Sequence, residues 1–330
     1  MTLSIKQAIL HVLDSQLDTP SLSDAPLELT PDTAEFLTAH MERLLASDER
    51  KPGQFHDSSP FLTYPLHDLD QFVPTSQEIA RRLFAFMRIY PDVPPADVLM
   101  IQAELDGQPH FLCLKLNYQE SFAHLYVQEE DRGCASIRRQ RQNLPSPKGK
   151  PGESFVLNLS TGELQITEKA YAIDGKRGMY WSTYFLDGTT SLSDKQKFQH
   201  IKQAAETVAE QYVDDPHAAT KVAAVLCSQM ADAQPASVET VCAELCEELG
   251  PDNPTVKEEF SRLLRENRVD MADTVQVAPA TVRRMEKQSL RTPDGVEIRI
   301  PVSLYENPEA VEFIHNPDGS TSLLIKHIEW

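Results

Sequence analysis

The strongest constraint on the fold is a change of period near residue 98. Upstream, in DTAEFLTAHMERLL, apolar residues recur every three or four positions. Then VLMIQAEL and HFLCLKLNY flank Asp106-Gly107 as strand-like runs. Asp-Gly between two such runs marks a tight hairpin, because both central residues of that turn take positive φ. In the second run Leu112, Leu114, Leu116 and Tyr118 face one way, and Phe111, Cys113, Lys115 and Asn117 the other. A chain with this centre folds around an antiparallel sheet.

The neighbouring text extends the sheet. SFAHLYVQ reads as a third strand, and ESFVLNL and ELQITEKAY pair around Ser160-Thr161-Gly162. Residues 97 to about 173 therefore read as a meandering, mostly antiparallel sheet. SIKQAILHVL at 4–13 fits a strand or a short helix equally. Thr30-Pro31 supplies an N-cap and a first-turn proline for a helix carrying Phe36, Leu37, His40, Met41, Leu44 and Leu45. A second helix is expected over 76–90, ended by Pro91, Pro94 and Pro95.

Beyond Ser193 the pattern is helical, with segments at 217–231, 238–249 and 254–267, the last capped by Asn253. Phe198, Ile201, Ala205, Val208 and Tyr212 form a short seam that suits packing within one chain and a homodimer contact alike. GVEIRIPV after Pro293-Asp294-Gly295, and VEFIHN with TSLLIKHI around Pro317-Asp318-Gly319, return to strands. The class is α+β: N-terminal helices with a mostly antiparallel sheet, then a helical segment and a small β-rich C-terminal unit. At 330 residues the chain exceeds one typical core. The expected division is 1–192 and 193–330, the second part being helical over 193–270 and β-rich over 271–330.

Charge is unevenly placed. The chain carries 50 acidic and 31 basic residues, a net charge of −19. Only residues 132–202 are positive, with 12 basic side chains against 6 acidic ones. Within that block, SIRRQRQNLPSPKGK holds Arg138, Arg139, Arg141, Lys148 and Lys150 without an acid. Lys176 and Arg177 follow at the Asp174-Gly175 turn. Alternation along a strand would send Arg139 and Arg141 to one side. Such side chains suit phosphate contacts, which give affinity rather than sequence readout. A solvated face, or docking on the chain's own acidic surface, accounts for the same charges. Tyr180, Trp181 and Tyr184 in MYWSTYF read as core rather than as stacking platforms.

Catalytic signatures are missing. GxxxxGK[ST], GxGxxG, HExxH and GxSxG do not occur, and the ten histidines are scattered. Cys242 and Cys246 stand one helical turn apart without the second pair a zinc site requires. A metal-dependent nuclease would need an acid two residues before Lys115, with Asp97 or Glu104 as a further acid. Cys113 stands there instead, and Mg²⁺ requires oxygen ligands. No catalytic role, cofactor or metal is expected. Five cysteines in no regular spacing fit a reducing cytoplasm. No apolar run reaches membrane-spanning length, and MTLSIKQAILHVLD lacks the marks of a secretion signal.

Five stretches, KQAILHVLD…LSDAPLELTPDTAEFLTAHMERLL, KPGQF, LKLNYQESFAHLY, LPSPKGKPGESFVLNL and TPDGVEIRIPVSLYENPEAVEFIHNPDGSTSLLIKHI, run in order along nearly the whole chain. Together they resemble the bacterial 37 kDa nucleoid-associated protein family, the NdpA/YejK group, and lie closer to its Gram-positive branch. The resemblance implies a cytoplasmic protein of the nucleoid that binds DNA and has no established enzymatic activity. It maps no binding residue. The expectation is double-stranded DNA binding with little sequence preference through Arg138, Arg139, Arg141, Lys148, Lys150, Lys176 and Arg177. The alternative is an acidic adaptor or DNA-mimicking module that binds a basic DNA-handling protein.

Overall fold

The computed structural model describes residues 2–328 apart from 16, 130–131, 213–217, 231–233, 250–253, 286, 293, 302–303, 305–306, 308 and 317–320. The chain divides into two compact units, Met1–Ser191 and Leu192–Trp330. The first unit runs β1 (Leu3–Leu13), α1 (Pro31–Leu45), β2 (Lys51–Phe55), α2 (Phe72–Ile89), β3 (Ala96–Leu105), β4 (Gln108–Asn117), β5 (Gln119–Glu129) and β6 (Arg132–Asn143). It continues with β7 (Ser154–Asn158), β8 (Leu164–Thr167), β9 (Ala170–Ile173), β10 (Lys176–Met179) and β11 (Gly188–Thr190). Seven of these strands form one antiparallel sheet in the order β1-β3-β4-β7-β8-β2-β11.

The β3–β4 hairpin is closed by Asp106 and Gly107, both at positive φ (48° and 77°). The ambiguous segment 4–13 is a strand, because β1 is zipped along β3 from Leu3 opposite Leu105 to Leu13 opposite Ala96. Both faces of the sheet are covered. On one, Ile9, Val98, Met100, Phe111, Cys113 and Phe155 pack with Ile79, Leu83 and Met87 of α2. On the other, Leu99, Ile101, Leu112, Leu114 and Leu116 pack with Leu37, Met41 and Leu44 of α1. That two-sided cover is why VLMIQAEL is nearly continuously apolar: a strand with no solvent face needs no polar alternation.

The helix starts follow local chemistry. Thr30 caps α1, its Oγ1 accepting from the Thr33 amide at 3.3 Å, and Pro31 occupies the first turn. α2 begins at Phe72, earlier than the expected residue 76. Pro74 is tolerated there because first-turn amides have no partner within the helix.

Two buried polar groups need explanation. His11 is inaccessible to solvent, yet both ring nitrogens are satisfied. The Ser23 amide donates to Nδ1 at 3.0 Å, so Nε2 carries the proton and donates to Ser76 Oγ at 2.9 Å. Ser76 in turn donates to the Val73 carbonyl at 2.7 Å. Burial, followed by Arg81, pushes the His11 pKa down to about 4.

Lys115 is the second case, on the α2 side of β4 with its side chain fully enclosed. Its ammonium donates to Asn117 Oδ1 and lies 3.7 Å from Glu153 Oε1. Glu153, also fully enclosed, accepts from Asn117 Nδ2 at 3.2 Å, Tyr171 at 2.5 Å and Tyr180 at 3.4 Å. Burial pulls the Lys115 pKa down to about 8, and Glu153 opposes that shift.

The second unit holds α3 (Asp194–Tyr212), α4 (Ala218–Gln229), α5 (Val238–Leu249), α6 (Pro254–Glu266) and α7 (Pro279–Met285). A short pair, β12 (Ala236–Ser237) with β13 (Thr274–Val275), lies among them. The hairpins β14 (Lys287–Arg291) with β15 (Glu297–Pro301) and β16 (Val311–His315) with β17 (Thr321–Ile325) follow. Phe198, Ile201, Ala205 and Val208 pack with Val241, Leu245 and Phe260 inside this unit. Tyr212, the last member of the expected seam, is exposed. Cys242 is buried in the same core and Cys246 packs against it. The Asn253 cap and the Pro317-Asp318-Gly319 turn lie outside the described residues. Among the described residues no helix is long and apolar enough to cross a membrane.

The two buried groups give separate tests. Removing Glu153 leaves an uncompensated ammonium in the core, so Glu153→Ala should lower unfolding stability by about 3–5 kcal/mol. Lys115→Met combined with Glu153→Ala should recover part of that loss; urea titration of both variants checks it. For His11, the unfolded chain takes up a proton near pH 6.5, whereas the folded chain refuses it until about pH 4. Stability present above pH 6.5 is therefore lost as pH falls through that window. The urea midpoint should drop across it, and His11→Gln should drop less steeply.

Candidate nucleic-acid interface

The basic residues depend on where β5 and β6 go. They do not extend the meander: β5 pairs with β6 alone, as a separate two-stranded ribbon. The reason lies in β4, whose edges are already taken by β3 and β7. A strand leaving β4 finds no open edge beside it, and the chain folds back on itself instead. Ten residues of ribbon span about 33 Å at about 3.3 Å per residue.

On this ribbon Arg138 stands opposite Ala123 and Arg139 opposite Phe122. The pairing then shifts, with Ser121 opposite Gln140 but Gln119 opposite Asn143. Arg141 and Gln142 fall in that irregularity, so simple alternation does not place Arg139 and Arg141 on one side. Arg138, Arg139 and Arg141 line one open cleft of about 880 Å³, together with Asp14, Tyr118 and Glu120. Arg139 is ion-paired with Glu120. Arg138 and Arg141 make no ion pair among the described residues. Gln142 donates to Asp14 Oδ2 at 2.9 Å, and Tyr118 donates to Asp97 Oδ1 at 2.7 Å. Burial raises the Asp97 pKa, and the hydrogen bond from Tyr118 opposes that shift.

Lys148 and Lys150 lie on the loop that follows β6. The His40 Nε2 proton is donated to the Pro145 carbonyl at 3.2 Å, and Arg43 Nε donates to the Gly149 carbonyl at 3.2 Å. These bonds fasten the loop to α1. Lys150 reaches Glu49 at 3.0 Å, while Lys148 is exposed. A small cavity of about 80 Å³ here is lined by Arg43, Lys115, Lys150 and Lys169 among others. Arg43 escaped the sequence reading, because α1 is joined to this loop only by the fold. Lys169 was visible in the charge block, yet nothing in its own stretch ties it to Lys150. Lys176 and Arg177 sit on β10, opposite Ile173 and Ala172, and line neither cavity. The seven predicted residues thus fall into three groups on the first unit.

The aromatic reading divides as well. Tyr180 and Trp181 are fully buried, and Tyr184 stacks beside Phe86 at 5.5 Å. The prominently exposed aromatics are Phe122 at 71% and Tyr126 at 65%, both on the ribbon. Their stretch, SFAHLYVQ, places apolar residues at both parities, a pattern that normally signals a strand buried on both faces.

The nuclease arrangement is not assembled. Asp97 stands opposite Leu116, whereas Lys115 stands opposite Val98, so the two project to opposite faces. Glu104 lies at the far end of β3 and pairs with Lys6 at 3.0 Å. Cys113 is fully buried, and burial raises its thiol pKa far above the ordinary range.

The arrangement can hold polyanion oxygens on guanidinium groups beside a cleft, with no base-reading element defined. Against known protein families, residues 9–330 match the one described as Nucleoid-associated protein YejK. A comparison with curated proteins returned no match. The match runs through both units and nearly from end to end; the chain belongs to the nucleoid-associated protein YejK family.

Proposed function

We propose that this chain works at the bacterial nucleoid, in the cytoplasm, by contacting double-stranded DNA through its phosphates with little sequence preference. The observation that carries this reading is the arginine end of β6: Arg138 and Arg141 line an open cleft without an ion pair among the described residues. Guanidinium groups bind phosphate through paired N–H donors, and these stand at the base of the ribbon, in a cleft shared with Asp14 and Tyr118. Lys148 adds an exposed charge on the adjoining loop. Lys150 contributes less, because Glu49 already engages it. Lys176 and Arg177 form a secondary patch on the β9–β10 hairpin.

The net charge of −19 sets the scale of the interaction. An acidic molecule is repelled by DNA at long range, so the contact is local and salt-sensitive. No catalytic step, cofactor or metal is assigned. A position nearer the Gram-positive branch of the family is the reading that the sequence resemblance supports.

DNA affinity measured against salt tests the reading. With Arg138, Arg139 and Arg141 all changed to Ala, the log–log slope should become shallower by up to about 2.7, at about 0.9 per phosphate contact. An unchanged slope would move the surface elsewhere on the chain. No wild-type binding at low salt would sink direct DNA contact, leaving capture of a basic DNA-handling protein as the activity to assay.

A further inference from the structure

The small cavity at the loop after β6 gathers cations in a chain dominated by acids. Four elements wall it: α1 with His40 and Arg43, the end of β4 with Lys115 and Asn117, the loop with Lys150, and Lys169 between β8 and β9. Among the described residues no acid lines it, although acids outnumber bases 50 to 31 along the chain.

Two of the four charges are already met. Lys115 lies 3.7 Å from Glu153, and Lys150 lies 3.0 Å from Glu49. Arg43 and Lys169 make no ion pair among the described residues. Arg43 spends only Nε, which donates to the Gly149 carbonyl at 3.2 Å. Glu168, the acid beside Lys169 in sequence, is fully enclosed and engaged by Lys51 at 3.1 Å. Burial lowers the Lys115 pKa, and the nearby charge of Lys169 lowers it further. Cations this close repel one another, and an anion placed among them removes the repulsion.

The walls are fixed before any ligand arrives. His40 and Arg43 hold the loop to α1 through the carbonyls of Pro145 and Gly149. The Gly149 amide closes a turn on the Ser146 carbonyl at 3.0 Å, and the Lys115 amide donates to the Glu153 carbonyl at 2.8 Å. A Cβ on Gly152 would stand 2.7 Å from the Lys115 carbonyl oxygen, so the loop lies directly on β4. Donors set in place lose little freedom on binding.

We propose that this cavity binds a terminal phosphate, one carrying at most a single ester substituent, between Arg43 and Lys169. Size and charge select that ligand. The cavity of about 80 Å³ holds roughly five water-sized spheres at about 15 Å³ each, which suits one phosphate group and excludes a nucleoside. A terminal phosphate carries about −1.5 to −2 at neutral pH, the counterpart of two unmet cations. A backbone diester carries less charge and a sugar on both sides, and a cavity walled by four elements has no room for the second. Neither Arg43 nor Lys169 lines the arginine cleft of β6, so this site is separate from the one assigned to duplex DNA.

Titration calorimetry of the full chain at constant ionic strength tests the site. Inorganic phosphate should bind saturably, at least tenfold more tightly than dimethyl phosphate. Arg43→Gln with Lys169→Gln should weaken phosphate binding at least tenfold. Lys169→Gln alone should weaken it too with an unchanged urea midpoint, because that side chain makes no hydrogen bond among the described residues. Changing Arg138, Arg139 and Arg141 to Ala should leave phosphate binding at the wild-type level. Adenosine 5′-monophosphate and a single strand with or without a 5′-phosphate identify the source. A tenfold gain from the strand's 5′-phosphate assigns a DNA end; nucleotide binding with no such gain assigns a free phosphate ester. Absence of saturable phosphate binding, equal binding of the diester, or binding indifferent to both substitutions overturns the proposal. None of those results bears on the salt dependence of duplex binding, so the two sites stand or fall separately.

Discussion

The first unit depends on the enclosure of β4. Its edges are hydrogen-bonded to β3 and β7, and its faces are covered by α1 and α2. Each form of enclosure has a cost displaced to a particular residue. Covered faces trap Lys115, whose charge is tolerable only because Glu153 and Asn117 meet it, with Tyr171 and Tyr180 holding the carboxylate in place. Occupied edges turn away the next strand, and the chain leaves the sheet as a ribbon. The buried ion network and the exposed arm are two outcomes of one packing decision.

That decision also sets where charge can act. The chain is acidic overall, yet Arg138, Arg139 and Arg141 stand together on an element that contributes no residue to the central core among the described residues. Ion pairing thins the number available: Glu120 holds Arg139 and Glu49 holds Lys150. Exposed pairs of this kind are weak, so they compete poorly with the dense charge of a phosphate backbone. A local positive surface on a negative molecule favours contacts that form at short range and are readily broken by salt.

Much of the fold was readable in the residues. The Asp106-Gly107 turn and the Thr30-Pro31 helix start rest on local chemistry and were found where that chemistry pointed; the seam read from Phe198 to Tyr212 is buried as far as Val208, with Tyr212 exposed. The ribbon was not readable. SFAHLYVQ has the apolar density of a buried strand, and only the prior occupation of both edges of β4 excludes it from the sheet. Arg43 was missed for a related reason, since its approach to Gly149 joins residues far apart in sequence. The arginines of β6 were found by counting charge, but their irregular register came from the pairing alone.

The ribbon's isolation has a consequence for how chains of this kind can diverge. Among the described residues no strand of the main sheet pairs with β5 or β6, so the ribbon's length is uncoupled from the core. Adding two residues to each strand lengthens it by about 7 Å and keeps every side chain on its face. Adding one residue to each strand exchanges the faces of everything beyond the insertion. Drift in this arm is thus quantised: reach can grow in even steps while surface chemistry persists, and odd steps rewrite the surface in a single event.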